Sequence, residues 1–230
     1  MNLALFGATG GTGRCILRQS LPNGEHSIKA LVRSPGKLQI EDPNLNIIKG
    51  NILDREDVHK TISGTEGVLC ALGNSGNNPN NLHTKGSQHL ISSMKDLNVD
   101  RVVILTSMGL GSSRNQIPWY GRWFTNLFLQ DLMADKRRQE ELIEESKLGW
   151  TIIRPGGLID GENTGEVYKG TDSDIMAGPI ARSEVARFML DTVTSNSFLH
   201  EKPVITTKKR FDMRSMYSQI KQLFERIRTK

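Results

Sequence analysis

Gly7, Gly10 and Gly13 stand three residues apart in the segment Gly7-Ala8-Thr9-Gly10-Gly11-Thr12-Gly13. The apolar run Leu3-Ala4-Leu5-Phe6 precedes them, and the helix-like run Arg14-Cys15-Ile16-Leu17-Arg18-Gln19 follows. This spacing suits one kind of chemistry, the holding of phosphate by main-chain N–H groups. Gly7 allows a tight turn out of a strand. Gly10 lets the backbone approach an anion with no Cβ in the way, and Gly13 lets the helix pack closely on the strand. The helix N-terminus then supplies free N–H groups and a partial positive charge. In a doubly wound α/β fold this is where a dinucleotide pyrophosphate binds.

The end of the next apolar run selects the nucleotide. A site for NAD usually carries an acid there, which accepts hydrogen bonds from the ribose hydroxyls. This run ends Leu31-Val32-Arg33, with Lys37 four residues on. An acid repels a 2′-phosphate, whereas Arg33 can pair with it through two charge-assisted hydrogen bonds. NADP(H) is therefore the expected cofactor, with Arg33 and Lys37 on its 2′-phosphate.

Alternating strands and helices must position these groups. Strands are expected at Ser27–Val32, Leu45–Ile48, Gly67–Leu72, Arg101–Thr106, Trp150–Arg154 (stopped by Pro155-Gly156-Gly157) and Val204–Thr206. Helices are expected at Asp54–Ile62, His83–Leu97 and about Leu127–Lys147, and from an N-cap at Ser183 through Thr192. The strands are apolar runs rather than alternating ones, as in a parallel sheet covered by helices on both faces. A Rossmann-like doubly wound α/β fold follows. Residues 1–206 read as one NAD(P)-binding domain that also carries the substrate site, and 207–230 as a basic amphipathic helix.

The chain has 230 residues, enough for one such domain. Its formal charge of +5 is uneven: residues 208–230 hold eight Lys/Arg against two Asp/Glu, and the rest is close to neutral. No basic patch in the domain argues for nucleic acid. No apolar stretch is long enough to span a membrane, and the first strand starts at Asn2, so a cytoplasmic protein is expected. Cys15 and Cys70 form no metal-ligand spacing, and His83 and His89 lack a third ligand, so no metal is expected.

Later segments extend the pattern. Leu31-Val32-Arg33-Ser34, Gly50-Asn51-Ile52-Leu53-Asp54, Ala71-Leu72-Gly73, Leu105-Thr106-Ser107, Ile153-Arg154-Pro155-Gly156-Gly157-Leu158 and Ile180-Ala181-Arg182-Ser183-Glu184-Val185-Ala186 occur in order. With the glycine run, they resemble the atypical short-chain dehydrogenase/reductases, within them the NAD(P)H-binding group that contains biliverdin-IXβ reductase, or flavin reductase. The resemblance implies that Thr9, Gly10, Thr12 and Gly13 surround the pyrophosphate, in the run that also holds Gly7 and Gly11. It implies that Asn51 and Ile52 border the adenine, although Asp is common where Asn51 stands. Leu72 and Gly73 would pass under the ribose. Ser107 and the turn Pro155, Gly156, Gly157, Leu158 would flank the nicotinamide, and the Ser107 hydroxyl is either a catalytic-site group that bonds the nicotinamide amide or the substrate, or a strand-end hydroxyl that caps a turn.

The reacting groups are less plain. Standard members use a Tyr-x-x-x-Lys pair in which the Lys lowers the Tyr pKa. The string occurs once, at Tyr217–Lys221, far beyond Ser107, and reads as coincidence. Tyr120 stands thirteen residues after Ser107, but Phe124 occupies the place of the Lys. Tyr120 is thus either a proton donor with nothing nearby in sequence to tune it, or a packing partner of Trp119 and Trp123. The cluster Trp119-Tyr120-Trp123-Phe124 is either a stacking platform for a flat ligand or a hydrophobic hinge into the long helix. In the tail, Met213, Met216, Ile220, Leu223 and Ile227 form one helical stripe, for docking on the domain, self-association or a membrane surface. Two functions stay open: an NADPH-dependent reductase of a flat conjugated acceptor (flavin, biliverdin or quinone), and a non-catalytic NADP(H)-binding redox-sensing or assembly protein.

Overall fold

The structure is a computed structural model that describes residues 1–22, 24–73, 81–117, 130–162, 165–172, 174–195 and 197–208. The expected helix over 207–230 falls almost wholly outside these residues, as do Trp119, Tyr120 and Trp123.

Strands β1 (Asn2–Phe6), β2 (Ser27–Val32), β3 (Leu45–Lys49), β4 (Gly67–Cys70), β5 (Arg101–Leu105) and β6 (Gly149–Pro155) run parallel. Two further strands, β10 (Val204–Thr207) beside β6 and β8 (Val167–Gly170) at the edge, complete the order β3-β2-β1-β4-β5-β6-β10-β8. β8 pairs antiparallel with β10, so the sheet is mostly rather than wholly parallel. A separate parallel pair, β7 (Gly157–Ile159) and β9 (Pro179–Ala181), stands off the main sheet. Neither β7, β8 nor β9 is expected from periodicity, because each is only three or four residues long.

Among the described residues, the helices are α1 (Gly11–Ser20), α2 (Arg55–Ile62), α3 (Leu82–Asp96), α4 (Gln130–Glu145) and α5 (Arg182–Thr194). They divide between the two faces according to the strand alternation. Leu3 and Leu5 point to the layer formed by α1 and α5, with Ile16, Leu17, Val185 and Met189. Ala4 and Phe6 point to the layer formed by α2, α3 and α4, with Val58, Ile62, Leu90, Met94 and Ile143. Both faces of the central strands are therefore dry, which is why they read as continuous apolar runs.

The boundaries differ from the sequence reading in two informative places. Ser183 is not the N-cap of α5: the cap is Ala181, which makes no side-chain cap bond, and the helix begins at Arg182. The Ser183 carbonyl instead accepts a hydrogen bond of 2.9 Å from Gln19 Nε2, which fixes α5 against α1. The second difference is at Pro155. The strand ends there as expected, but Pro155 is itself its last residue, in register with Ile205, since a strand-terminal proline needs no N–H partner there. After Gly156 the chain moves directly into β7.

Candidate functional site

The glycine turn is built as its residue types require. Gly7 has φ +89°, and a Cβ there would lie 2.4 Å from the Ala71 carbonyl oxygen. A Cβ at Gly13 would lie 2.2 Å from the Gly7 oxygen, so α1 rests directly on the turn. Gly10 caps α1 with no side-chain bond, and the first turn holds no acid. The first N–H satisfied within the helix is that of Arg14, on the Gly10 oxygen at 2.9 Å. The N–H groups of Gly11, Thr12 and Gly13 precede it and have no acceptor inside the helix.

Two other helices show what a satisfied end looks like. The Asp54 side chain accepts from the N–H groups of Glu56 and Asp57 at the start of α2. Asp135 of α4 reaches across to accept from the N–H groups of His83 and Thr84 at the start of α3, each at 2.9 Å. α1 has no such carboxylate, and its free end lies beside a cavity. That combination suits an anion.

The cavity, of about 600 Å³, runs along the C-terminal ends of β3, β2, β1 and β4, which are neighbours in the sheet. Of the residues expected to bind cofactor, it is lined by Gly7, Thr9, Gly10, Arg33, Lys37, Asn51, Ile52, Leu72 and Gly73; Phe6, Leu31, Val32, Ser34, Gly50 and Leu82 complete it. Arg33 and Lys37 are exposed, and no Asp or Glu is among the described residues that line the wall. Ile52 and Leu82 are buried apolar walls suited to the face of a purine. Asn51 accepts from the Leu53 N–H through its side-chain oxygen at 3.1 Å, a turn that an Asp forms equally well. Arg14 joins the glycine turn to the loop after β2. Its Nε donates to the Thr9 carbonyl at 3.1 Å and its Nη2 to the Lys37 carbonyl at 2.7 Å.

Gly11, Thr12 and Gly13 form the first turn of α1 and do not line the cavity. Ser107 and the run from Pro155 to Leu158 lie farther along the sheet edge, past β5 and β6. The Ser107 hydroxyl donates to the Met108 carbonyl at 3.0 Å, and the Met108 N–H donates to the Pro155 carbonyl at 2.9 Å. The backbone thus brings Ser107 and Pro155 together. Gly156 is tight, because a Cβ there would lie 2.3 Å from the Gly178 oxygen.

One feature near Ser107 is absent from the sequence reading. Glu140 on α4 is buried and accepts from Arg154 through both oxygens: Nε on Oε1 at 3.1 Å and Nη2 on Oε2 at 2.5 Å. Its Oε1 also accepts from the Thr106 hydroxyl at 2.7 Å, while Arg154 Nη1 donates to Ser112 Oγ at 2.9 Å. One turn earlier on α4, Lys136 is buried and donates to the Thr106 carbonyl at 3.0 Å. Burial pushes its ammonium down to about 8, against the opposing pull of Glu140. His83 sits in the same layer with neither ring nitrogen hydrogen-bonded. Burial, helped by Lys136, pushes its imidazole down to about 4, so the ring is neutral at pH 7. The sequence did carry a sign of this cluster. Arg154 interrupts the apolar β6, and a charge there must find a buried partner.

A family model described as NAD(P)H-binding matches residues 7–196. The uncharacterized chloroplast protein At2g34460 of Arabidopsis thaliana is 30% identical over 197 residues, 81% of this chain and 70% of that protein. The oxidoreductase aflX of Aspergillus parasiticus is 24% identical over 68% of this chain and 65% of its own length. The photosystem II assembly factor Ycf39 of Cyanophora paradoxa is also 24% identical, over 70% of this chain but 47% of its own length. Among solved structures, the anaerobilin reductase ChuY of Escherichia coli superposes with a TM-score of 0.77 at 19% identity, covering 92% of this chain and 100% of that one. A short-chain dehydrogenase/reductase of Veillonella parvula in complex with NADP gives 0.72 at 16% identity, covering 89% and 94%. These two likenesses bear on the fold alone. The family match begins at Gly7, directly after β1, and runs past the end of α5, so it takes in the glycine turn and the ends of β2, β3 and β4 that form the cavity: the chain belongs to the NAD(P)H-binding family.

Proposed function

We propose that the protein is an NADPH-dependent oxidoreductase that passes hydride to a flat conjugated acceptor of flavin, biliverdin or quinone type. The observation that carries the cofactor choice is the cavity wall: among the described residues it holds two cations, Arg33 and Lys37, and no acid. In this reading Arg33 and Lys37 hold the 2′-phosphate. The glycine turn and the free N–H groups of α1 hold the pyrophosphate. Ile52 and Leu82 flank the adenine, and Leu72 and Gly73 lie along the ribose. NADPH, when bound, supplies a hydride from its nicotinamide ring. Ser107 and the Pro155–Leu158 run would place that ring at the ends of β5 and β6.

The type of acceptor rests on proton supply. Reduction of a simple carbonyl needs a positioned acid with a tuned pKa. Among the described residues near Ser107, the amine of Lys136 is buried and held on the Thr106 carbonyl, and His83 is neutral and buried. A flavin, quinone or linear tetrapyrrole takes its proton from solvent and needs neither. Single-turnover oxidation of NADPH against FMN, biliverdin and quinones, without oxygen, tests this. Tyr120→Phe should change the rate little and Tyr120→Ala more, through lost stacking. If Phe is as damaging as Ala, Tyr120 is an acid and the acceptor is a carbonyl.

A second reading is a non-catalytic NADP(H)-binding assembly or sensor protein. The same observations on proton supply support it, and so does the likeness to the assembly factor Ycf39. Tight NADPH binding with no turnover against any acceptor would decide for it.

A further inference from the structure

Arg182, the first residue of α5, lies over the first residue of α1. A Cβ at Gly11 would stand 2.5 Å from Arg182 Cδ and 2.7 Å from its Nε. The arginine side chain thus occupies the place that any other residue at position 11 would fill. Gly11 carries one of the three free N–H groups at the start of α1, so the Arg182 side chain lies beside the first residue of that turn. Two anchors hold it there. The Gln19–Ser183 hydrogen bond of 2.9 Å fixes the start of α5 to α1. Asp160, just past β7, pairs with Arg182 Nη1 at 2.7 Å. The Arg182 side chain is 17% exposed and that of Asp160 67%.

Charge gives this placement a purpose. A dinucleotide pyrophosphate carries two negative charges. The cations lining the cavity, Arg33 and Lys37, both follow β2, at the 2′-phosphate end. The glycine turn supplies main-chain dipoles but no formal charge. We propose that Arg182 is a cofactor-binding residue that pairs with the pyrophosphate, and that Gly11 lacks a side chain so that Arg182 can reach it. This rests on the NADP(H)-binding reading of the site. A planar guanidinium suits the task, since it holds one acceptor and still offers donors to a second. The role differs in kind from that of Arg33: the pyrophosphate is common to NADPH and NADH, so Arg182 raises affinity for both and selects neither.

Calorimetric titration of Arg182→Met and Gly11→Ala with NADPH, NADH and 2′-AMP tests the assignment. 2′-AMP has the 2′-phosphate and no pyrophosphate. Arg182→Met should weaken NADPH and NADH by a common factor of roughly tenfold or more and leave 2′-AMP unchanged. Gly11→Ala keeps the charge but pushes the Arg182 side chain aside, so it should weaken both dinucleotides by a smaller factor. Added to Arg182→Met, it should cost nothing further. Melting curves check that each variant folds; if Arg182→Met does not, Gly11→Ala carries the test. Dinucleotide affinities within twofold of wild type for Arg182→Met, or equal losses of 2′-AMP, would overturn the proposal while leaving the site intact. Wild-type protein that binds neither dinucleotide would overturn the reading of the site, and this proposal with it.

Discussion

Replacing Arg33 by Ala should raise the dissociation constant for NADPH and leave that for NADH nearly unchanged. A charge-assisted hydrogen bond is worth about 1.5–3 kcal/mol. Arg33 is exposed and shares its task with Lys37, so the lower end applies, about 1.5–2 kcal/mol, or roughly 10–30-fold in affinity. Arg33→Asp also places a negative charge about 5 Å from the phosphate. At the dielectric of water each pair of charges so placed repels by about 0.8 kcal/mol, which makes the total loss roughly 50-fold to several hundred-fold. The loss should shrink with salt, because the screening length falls from about 10 Å at 0.1 M to about 3 Å at 1 M. Calorimetry with both nucleotides at 0.05 and 0.5 M NaCl reads all of this. If Arg33→Ala weakens NADH as much as NADPH, or neither, the 2′-phosphate does not lie at the end of β2.

Other expectations follow from single contacts. Gly10→Val should abolish cofactor binding in a folded protein: even a bare Cβ there lies 3.2 Å from the Gly7 oxygen, and the added methyls fill the approach to α1. Glu140→Leu should leave Arg154 buried and unpaired and lower stability by about 3–5 kcal/mol in urea unfolding; a loss under 1 kcal/mol would mean that Arg154 finds water instead. The His83 pKa is lower in the folded state, so the unfolded chain binds more protons between about pH 4 and 6.5 and stability should fall as the pH drops through that window. His83→Leu should flatten this part of the stability profile; an unchanged slope would assign it to other groups.

The main sheet and its helices were legible because their causes are local. Leu3-Ala4-Leu5-Phe6, then three glycines, then an amphipathic run leave few other structures available. Gly7 and Gly13 act through a positive φ and a contact with the next turn, both of which follow from the lack of a Cβ. Arg33 could be placed because it ends a strand. The illegible parts depend on distant partners. β7, β8 and β9 are too short to show a period and exist because each meets another strand. Ser183 has the side chain of a cap, but the helix starts two residues earlier than that cap implies, and the Ser183 carbonyl takes a bond from Gln19 instead. The Glu140–Arg154–Thr106 network joins three elements, and nothing in the spacing of one reveals the other two. The aromatic cluster that would shape the acceptor side lies outside the described residues.

The two bonds of Arg14 give the nucleotide site a property that neither loop has alone. One guanidinium holds the Thr9 carbonyl and the Lys37 carbonyl, so the glycine turn and the loop after β2, proposed to hold the pyrophosphate and the 2′-phosphate, share a strut. When one loop is ordered by its phosphate, the conformational freedom left to the other is reduced, and the second phosphate meets a loop already in place. By linkage the benefit runs equally in both directions. In the proposed NADP(H)-binding reading, the two ends of the cofactor would therefore be read jointly, and a nucleotide that presents only one of them would forgo the help of the other.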